Sequence, residues 1–209
     1  MPPSIITIAQ QKGGAGKTTL VASLAAAWAA TRRVTIIDID AQHSLTRWHS
    51  LRTARNSAPV ITLAEIAGWR LAGELDKLRR SADIILIDSP PQIDTDARQA
   101  VRAADLVLVP IQPSPPDLWA AEGTFELAKA EKRRLAIVLN RAPASGKLRS
   151  MVEADIAKLG HTVLPTVLGN RTGFATAFAQ GLGVTEAAPN SRAAQELRSL
   201  LADIEGALP

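Results

Sequence analysis

The 209-residue chain contains no cysteine and no tyrosine, and its aromatic residues are confined to four tryptophans and three phenylalanines. Without cysteine there can be no disulfide, thiolate zinc site, iron–sulfur cluster or thiol nucleophile, and a reducing cytoplasm fits the composition. The tryptophans, Trp28, Trp48, Trp69 and Trp119, are too scattered to build a stacking platform for single-stranded nucleic acid and read as core residues. His43, His49 and His161 match no metal-ligand spacing and read as surface or helix-packing groups. No apolar run reaches the roughly 18 residues of a membrane span. Residues 1–8 lack the positive n-region of an export signal, so none is expected. Charge of one sign is also lacking: 24 Lys+Arg against 20 Asp+Glu leaves +4, of which arginine supplies 17 of the 24 basic groups. A mixed surface explains that balance as well as phosphate binding does.

What is present is an alternation of short aliphatic runs and longer Ala-rich stretches. The runs predict strands over 5–9, 34–38, 60–63, 83–88, 106–111, 135–140 and 163–168. The stretches between and after them predict helices over 17–30, 44–55, 70–81, 94–103, 118–132, 147–159, 173–180 and 191–207. Ile84-Ile85-Leu86-Ile87 does not alternate with polar residues, so its strand should be covered on both faces. The fold class predicted is therefore α/β: a doubly wound, mostly parallel sheet with helices on both faces. No internal repeat or rich linker divides the chain, and 1–209 reads as one domain. The Pro-rich piece 110–116 reads as a strand-exit loop. Ligands of such sheets sit beyond the carboxyl ends of the strands, which directs attention to 10–19, 38–42, 88–92, 112–117 and 140–141.

Lys12-Gly13-Gly14-Ala15-Gly16-Lys17-Thr18-Thr19 follows the first strand and opens the first helix. Glycines let backbone N–H groups turn inward around an anion, and a helix N-terminus adds its positive dipole end. Lys17 is placed to reach the β- and γ-phosphates, and Thr18 offers a hydroxyl to Mg²⁺. Gln11 stands where the general phosphate-loop pattern asks for a first glycine, and a second lysine, Lys12, follows it. Asp88 ends a buried strand, where its carboxylate can hold Mg²⁺ through a water or serve only as a loop or capping group.

This loop resembles the deviant Walker A motif of the ParA/MinD ATPases. The likeness continues through Asp38-Ile39-Asp40-Ala41-Gln42, with Ala41 for the family's usual proline, through the Walker B-like Asp88-Ser89-Pro90-Pro91, the strand 104–110 and the start of the last helix at 189–194. It covers nearly the whole chain and points to the small partition ATPases that lack an N-terminal helix-turn-helix. The resemblance implies ATP and Mg²⁺ as ligands, a P-loop NTPase fold and weak hydrolysis in an ATP-dependent homodimer. It implies that Lys12 crosses the dimer interface to the facing nucleotide, that Asp40 orients the attacking water and that Asp38 supports the metal's water shell. Two carboxylates one residue apart face the same way on a strand, so the division of labour between them stays open. Asn140-Arg141 falls where relatives contact adenine, with a simple strand-end turn as the competing reading.

The resemblance further implies non-specific DNA binding by C-terminal basic residues, with Arg192 at a matching position and Arg171 in the corresponding region. A small adaptor protein that stimulates hydrolysis, and a cytoplasmic, nucleoid-associated location, follow from the same likeness. A MinD-like membrane ATPase is the alternative, disfavoured because the final residues 202–209 are acidic and end in proline rather than forming a basic amphipathic helix. Nitrogenase-type reductases need cluster cysteines, and bacterial tyrosine kinases a tyrosine-rich tail; this sequence has neither.

Overall fold

The computed structural model describes residues 3–55, 58–64, 66, 70–143 and 146–209. Its strands are β1 (Ser4–Ile8), β2 (Val34–Asp38), β3 (Ile61–Ala64), β4 (Ile84–Asp88), β5 (Leu106–Ile111), β6 (Arg134–Leu139) and β7 (Thr162–Val163). The helices are α1 (Lys17–Trp28), α2 (Ser44–Thr53), α3 (Leu71–Leu78), α4 (Thr95–Ala103), α5 (Pro115–Ala130), α6 (Lys147–Lys158), α7 (Thr172–Ala179), α8 (Val184–Ala187) and α9 (Arg192–Ala207). All seven strands join one parallel sheet in the order β3-β2-β4-β1-β5-β6-β7, as the unbroken aliphatic runs predicted.

The two-residue period of a strand divides each run between two cores. Ile6, Ile8, Ile84, Leu86, Leu106 and Leu108 point to one face, where α1, α2 and α7 to α9 bury their apolar sides. Ile5, Ile85, Ile87, Val107, Val109 and Ile111 point to the other, under α3 to α6. Helix α1 has apolar, small or buried side chains nearly all round, because it lies between the sheet and the outer helices α2, α7, α8 and α9. Trp28 and Trp48 belong to that core; each carries a burial whose loss on truncation to alanine costs about 3–5 kcal/mol.

Four expectations need correction. Trp119 is 65% exposed rather than packed in the core, and Trp69 lies outside the described residues. The last strand spans 162–163 instead of 163–168: Leu164 still donates to Ile137 O, but the next N–H on the β6 side, that of Thr166, donates to Asp203 Oδ2 (2.8 Å) instead. The segment rejoins β6 only where Leu168 donates to Leu139 O. The piece 110–116 is not simply a loop. Pro110 lies within β5, where its missing N–H faces the β1 side beyond the last β1 bond, Ala9 N to Leu108 O. Pro115 and Pro116 open α5 three residues before the predicted start, with Ser114 as N-cap, since proline fits a first turn that has no N–H partner. The short helix α8 had no separate sequence signal.

The chain steps outward from β1 to β2 and β3, returns through β4, and then passes β1 to β5, β6 and β7. The strand order thus reverses at β1, and the crevice beyond its carboxyl end is where an open α/β sheet takes its ligand.

Candidate nucleotide site

The loop 12–19 leaves β1 at that reversal and enters α1. Gly14 (φ 80°) and Gly16 (φ 90°) occupy the left-handed region that favours glycine, and Gly16 is the α1 N-cap. A side chain at Gly16 would also strike Asn140 Nδ2 at 2.7 Å, whereas Gly13 and Gly14 are open on their outer side. Three donors from neighbouring strand ends hold the loop's carbonyls outward. Asn140 Nδ2 donates to Ala15 O (2.8 Å), Arg141 Nη1 to Gly14 O (2.9 Å) and Gln112 Nε2 to Gly14 O (3.3 Å). With its carbonyls so tied, the loop is shaped to present N–H groups to an anion.

Lys17 is buried and donates to Gln10 O at 3.1 Å. Burial lowers its pKa, opposed by the nearby carboxylates of Asp88 and Asp40. Asp88 pairs in register with Asp38 on one side and Ile8 on the other, and it is fully buried. Neither of its carboxylate oxygens has a hydrogen-bond partner. Burial raises its pKa from 3.8 to about 7; Asp38 and Asp40 push the same way, while Thr18 and Lys17 oppose them. Thr18 is close enough for that effect without completing a hydrogen bond. A buried carboxylate with unused lone pairs, beside a hydroxyl and facing a phosphate loop, fits Mg²⁺, which takes one or two protein oxygens and keeps waters.

Asp38 differs. Its Oδ1 accepts from Asp40 N (3.1 Å), and its Oδ2 accepts from both Thr46 N (2.9 Å) and Thr46 Oγ1 (3.0 Å). His43, the residue at the α2 N-cap, makes no side-chain cap, so Asp38 reaches from the end of β2 to cap that helix instead. Asp40 sits half-exposed at the mouth, its Oδ1 accepting from Gln42 N (3.0 Å). Among these carboxylates, the one with both oxygens unused is Asp88.

Lys12 is 41% exposed and pairs within its own chain with Asp117, 3% exposed, at 2.6 Å. Ser114 Oγ donates to the same Asp117 oxygen at 2.5 Å, while the other, Oδ1, is buried without a partner. Thr19, Gly16 and Leu20 line one wall of a cavity of about 210 Å³ beyond the loop, opposite Asn140, Arg141, Leu168 and Phe174. The Asn140 amide is already committed to Ala15 O and to Arg141 N, so part of its work is structural. Arg141 has a positive φ of 49°, which turns its side chain back onto the loop.

Arg171 lines that cavity too, and with Arg192 and Arg149 it borders an adjacent groove of about 530 Å³. The two arginines picked from sequence therefore come together, but differently. Arg171 is paired bidentately with Glu196 (2.8 and 2.6 Å), whereas Arg192 is 78% exposed at 3.5 Å from it. Sequence reasoning gave no role to Gln112 and Asp117, although both lie in a strand-end stretch marked as important. Arg149 is one of the basic residues toward the C-terminal end that the sequence offers for DNA without a specific position, and Glu196 carries no signal beyond helical spacing.

The chain matches the CobQ/CobB/MinD/ParA nucleotide binding domain over residues 6–184. It belongs to that family. Two relatives align over nearly the full chain. The maintenance of carboxysome distribution protein A of Halothiobacillus neapolitanus is 28% identical, covering 95% of each chain. The chromosome-partitioning ATPase Soj of Thermus thermophilus is also 28% identical, covering 95% of this chain and 94% of its own. A solved ATP complex of Cyanothece McdA superposes with a TM-score of 0.83 at 17% identity, covering 97% of this chain and 96% of that one, which supports the ParA/MinD fold. The ParA/MinD assignment places the loop 12–19, Lys17 and Asp88 within the matched span, and Arg192 beyond its end.

Proposed function

We propose that the 209-residue chain is a single ParA-type domain that hydrolyses ATP with Mg²⁺ and uses the nucleotide state to position a cargo on DNA. The observation that carries the ATPase reading is Asp88: a buried, partnerless carboxylate next to Lys17, Thr18 and an anion-shaped loop. Thr18 and Asp88 would hold the metal, with Asp38 fixing the strand end and second helix around its water shell. When bound, Mg²⁺ neutralises the charge of the β- and γ-phosphates.

Gly13 to Gly16 and Thr19 cradle the phosphates with backbone N–H groups, and Lys17 exchanges Gln10 O for a phosphate oxygen. The adenine enters the cavity beneath Asn140 and Arg141. Asp40, at the mouth and half-exposed, orients the attacking water. Lys12 leaves Asp117 and reaches the nucleotide of a facing subunit, adding positive charge where it develops in the transition state. That exchange makes dimerisation dependent on ATP, and it keeps basal hydrolysis weak until an adaptor protein favours the active arrangement.

DNA binding rests on Arg192, exposed at the rim of the arginine groove, with Arg171 behind it. Contacts of this kind reach phosphates and read no bases, which suits a cytoplasmic protein moving over nucleoid DNA. The names of the two relatives, one for carboxysome distribution and one for chromosome partitioning, support cargo positioning of either kind. The test is duplex binding on unrelated sequences with ATP, ADP or no nucleotide. Binding confined to ATP supports the reading, and its absence at low salt with every nucleotide refutes it.

A further inference from the structure

The arginine groove and the nucleotide cavity share one wall, formed by Gly169, Asn170 and Arg171. One side chain holds that wall. Glu196 Oε2 accepts from Gly169 N (3.1 Å) and from Arg171 Nε (2.8 Å), while Oε1 accepts from Arg171 Nη2 (2.6 Å). The guanidinium folds back over Gly169 so closely that a Cβ there would stand 3.0 Å from Arg171 Nε. Glu196 is also the acidic neighbour of Arg192, one helical turn away on α9. It is itself mostly covered, 16% exposed, and the Arg171 hydrogen bond holds its carboxyl below the usual range.

A bidentate carboxylate occupies the same donor fork that a phosphate would use. In this arrangement the groove has three arginines on its border, yet one is neutralised and a second is partly screened. We propose that Glu196 is a gate on the polyanion groove: it withholds Arg171, and in part Arg192, from DNA phosphates until the shared wall shifts with the nucleotide. Arg149 lies on the same groove border and is itself paired with Glu153 through Nε (2.8 Å), so it reaches a phosphate only by exchanging that partner, which Glu196 does not control. The inference rests on the DNA reading above and adds the residue that controls it. Because the gate would be set by groups that border both cavities, coupling must be reciprocal: DNA tightens ATP binding by the factor by which ATP tightens DNA binding.

Glu196→Gln tests the gate, since glutamine keeps an acceptor for Gly169 N but loses the charge that holds Arg171. The measurement is the affinity of a fluorescent duplex of arbitrary sequence, with and without ATP, at several salt concentrations. Each freed phosphate contact adds about 0.9 to the log–log salt slope, or about eightfold in affinity near 0.1 M salt. Glu196→Gln should therefore bind DNA without nucleotide, with a slope steeper by roughly one to two units. Arg149→Ala should make the slope shallower by about one unit. If wild type binds only with ATP and Glu196→Gln matches it in affinity and slope, the gate is wrong while the DNA reading stands. If wild type never binds but Glu196→Gln does, the gate stands and nucleotide control fails. If neither binds, both fall. Should Glu196→Gln not fold, Glu196→Asp replaces it, because a carboxylate one methylene shorter cannot keep all three bonds; the same outcomes decide.

Discussion

Replacing Asp88 with asparagine should stabilise the nucleotide-free protein and disable it. The folded-state pKa of Asp88 is about 7 against 3.8 for an ordinary aspartate. At 1.36 kcal/mol per unit, holding this carboxylate ionised in the fold costs about 4 kcal/mol above pH 7. The sign follows from proton uptake: between about pH 4 and pH 7 the folded chain binds a proton that the unfolded chain has released, so stability falls as pH rises through that window. Asparagine carries no charge but still buries an unpaired polar group at a cost of about 1–3 kcal/mol. A protonated Asp88 carries that same burial cost, so the net gain of Asp88→Asn over wild type is about 4 kcal/mol at pH 8 and falls to about 2 kcal/mol at pH 5, where the folded wild type is protonated but its unfolded chain is still ionised. Urea unfolding of both proteins at pH 5 and pH 8, without nucleotide or metal, reads the difference directly. The variant should also lose the extra thermal stabilisation that Mg²⁺ adds to ATP. An equal midpoint difference at both pH values, or a variant less stable at pH 8, would refute the argument that an uncompensated charge resides there.

Lys17→Ala should abolish ATP binding in calorimetry without lowering the melting temperature, because it removes a buried cation together with its phosphate contact. Asp40→Ala should keep ATP binding and lose phosphate release; hydrolysis at the wild-type rate would remove Asp40 from the water-orienting role. Arg52 is 3% exposed, pairs with Glu186 at 2.7 Å and lies over the Trp48 ring. Arg52→Ala should therefore cost about 3–5 kcal/mol in denaturant unfolding, since it strands a largely covered carboxylate. Gly16→Ala should weaken ATP binding and cost at least about 1–2 kcal/mol, from its left-handed φ alone. That loss grows if Asn140 must move.

The sheet and its ligand-binding end were legible because doubly covered strands leave an unmistakable run of aliphatic residues, and because glycines with a lysine at fixed spacing have few other uses. Asp88 and Lys17 could be chosen for the same reason: each ends or follows an apolar strand where a charge has no packing role. Asp38 shows the limit. Its place beside Asp40 suggested metal work, yet which carboxylate caps α2 depends on the turn at His43, whose left-handed φ of 51° no neighbouring residue announces. Trp119 was misjudged because its tryptophan type, not its helical face, set the expectation. The last strand stops short because Asp203, 37 residues away on α9, takes the Thr166 N–H that would continue it, a contact no local pattern announces. Glu196 could not be found at all: its meaning comes from Arg171, 25 residues away, and from a glycine that lets the guanidinium fold back.

The central claim is that ATP, through Lys12, joins two copies of this chain. Sedimentation of wild type and Lys12→Gln with no nucleotide, ADP–Mg²⁺, and ATP–Mg²⁺ in the Asp40→Ala background tests it most directly. A dimer is expected only with ATP, and a monomer in every state once Lys12 is replaced. A dimer equally strong with ADP, or an ATP dimer that survives Lys12→Gln, would contradict it.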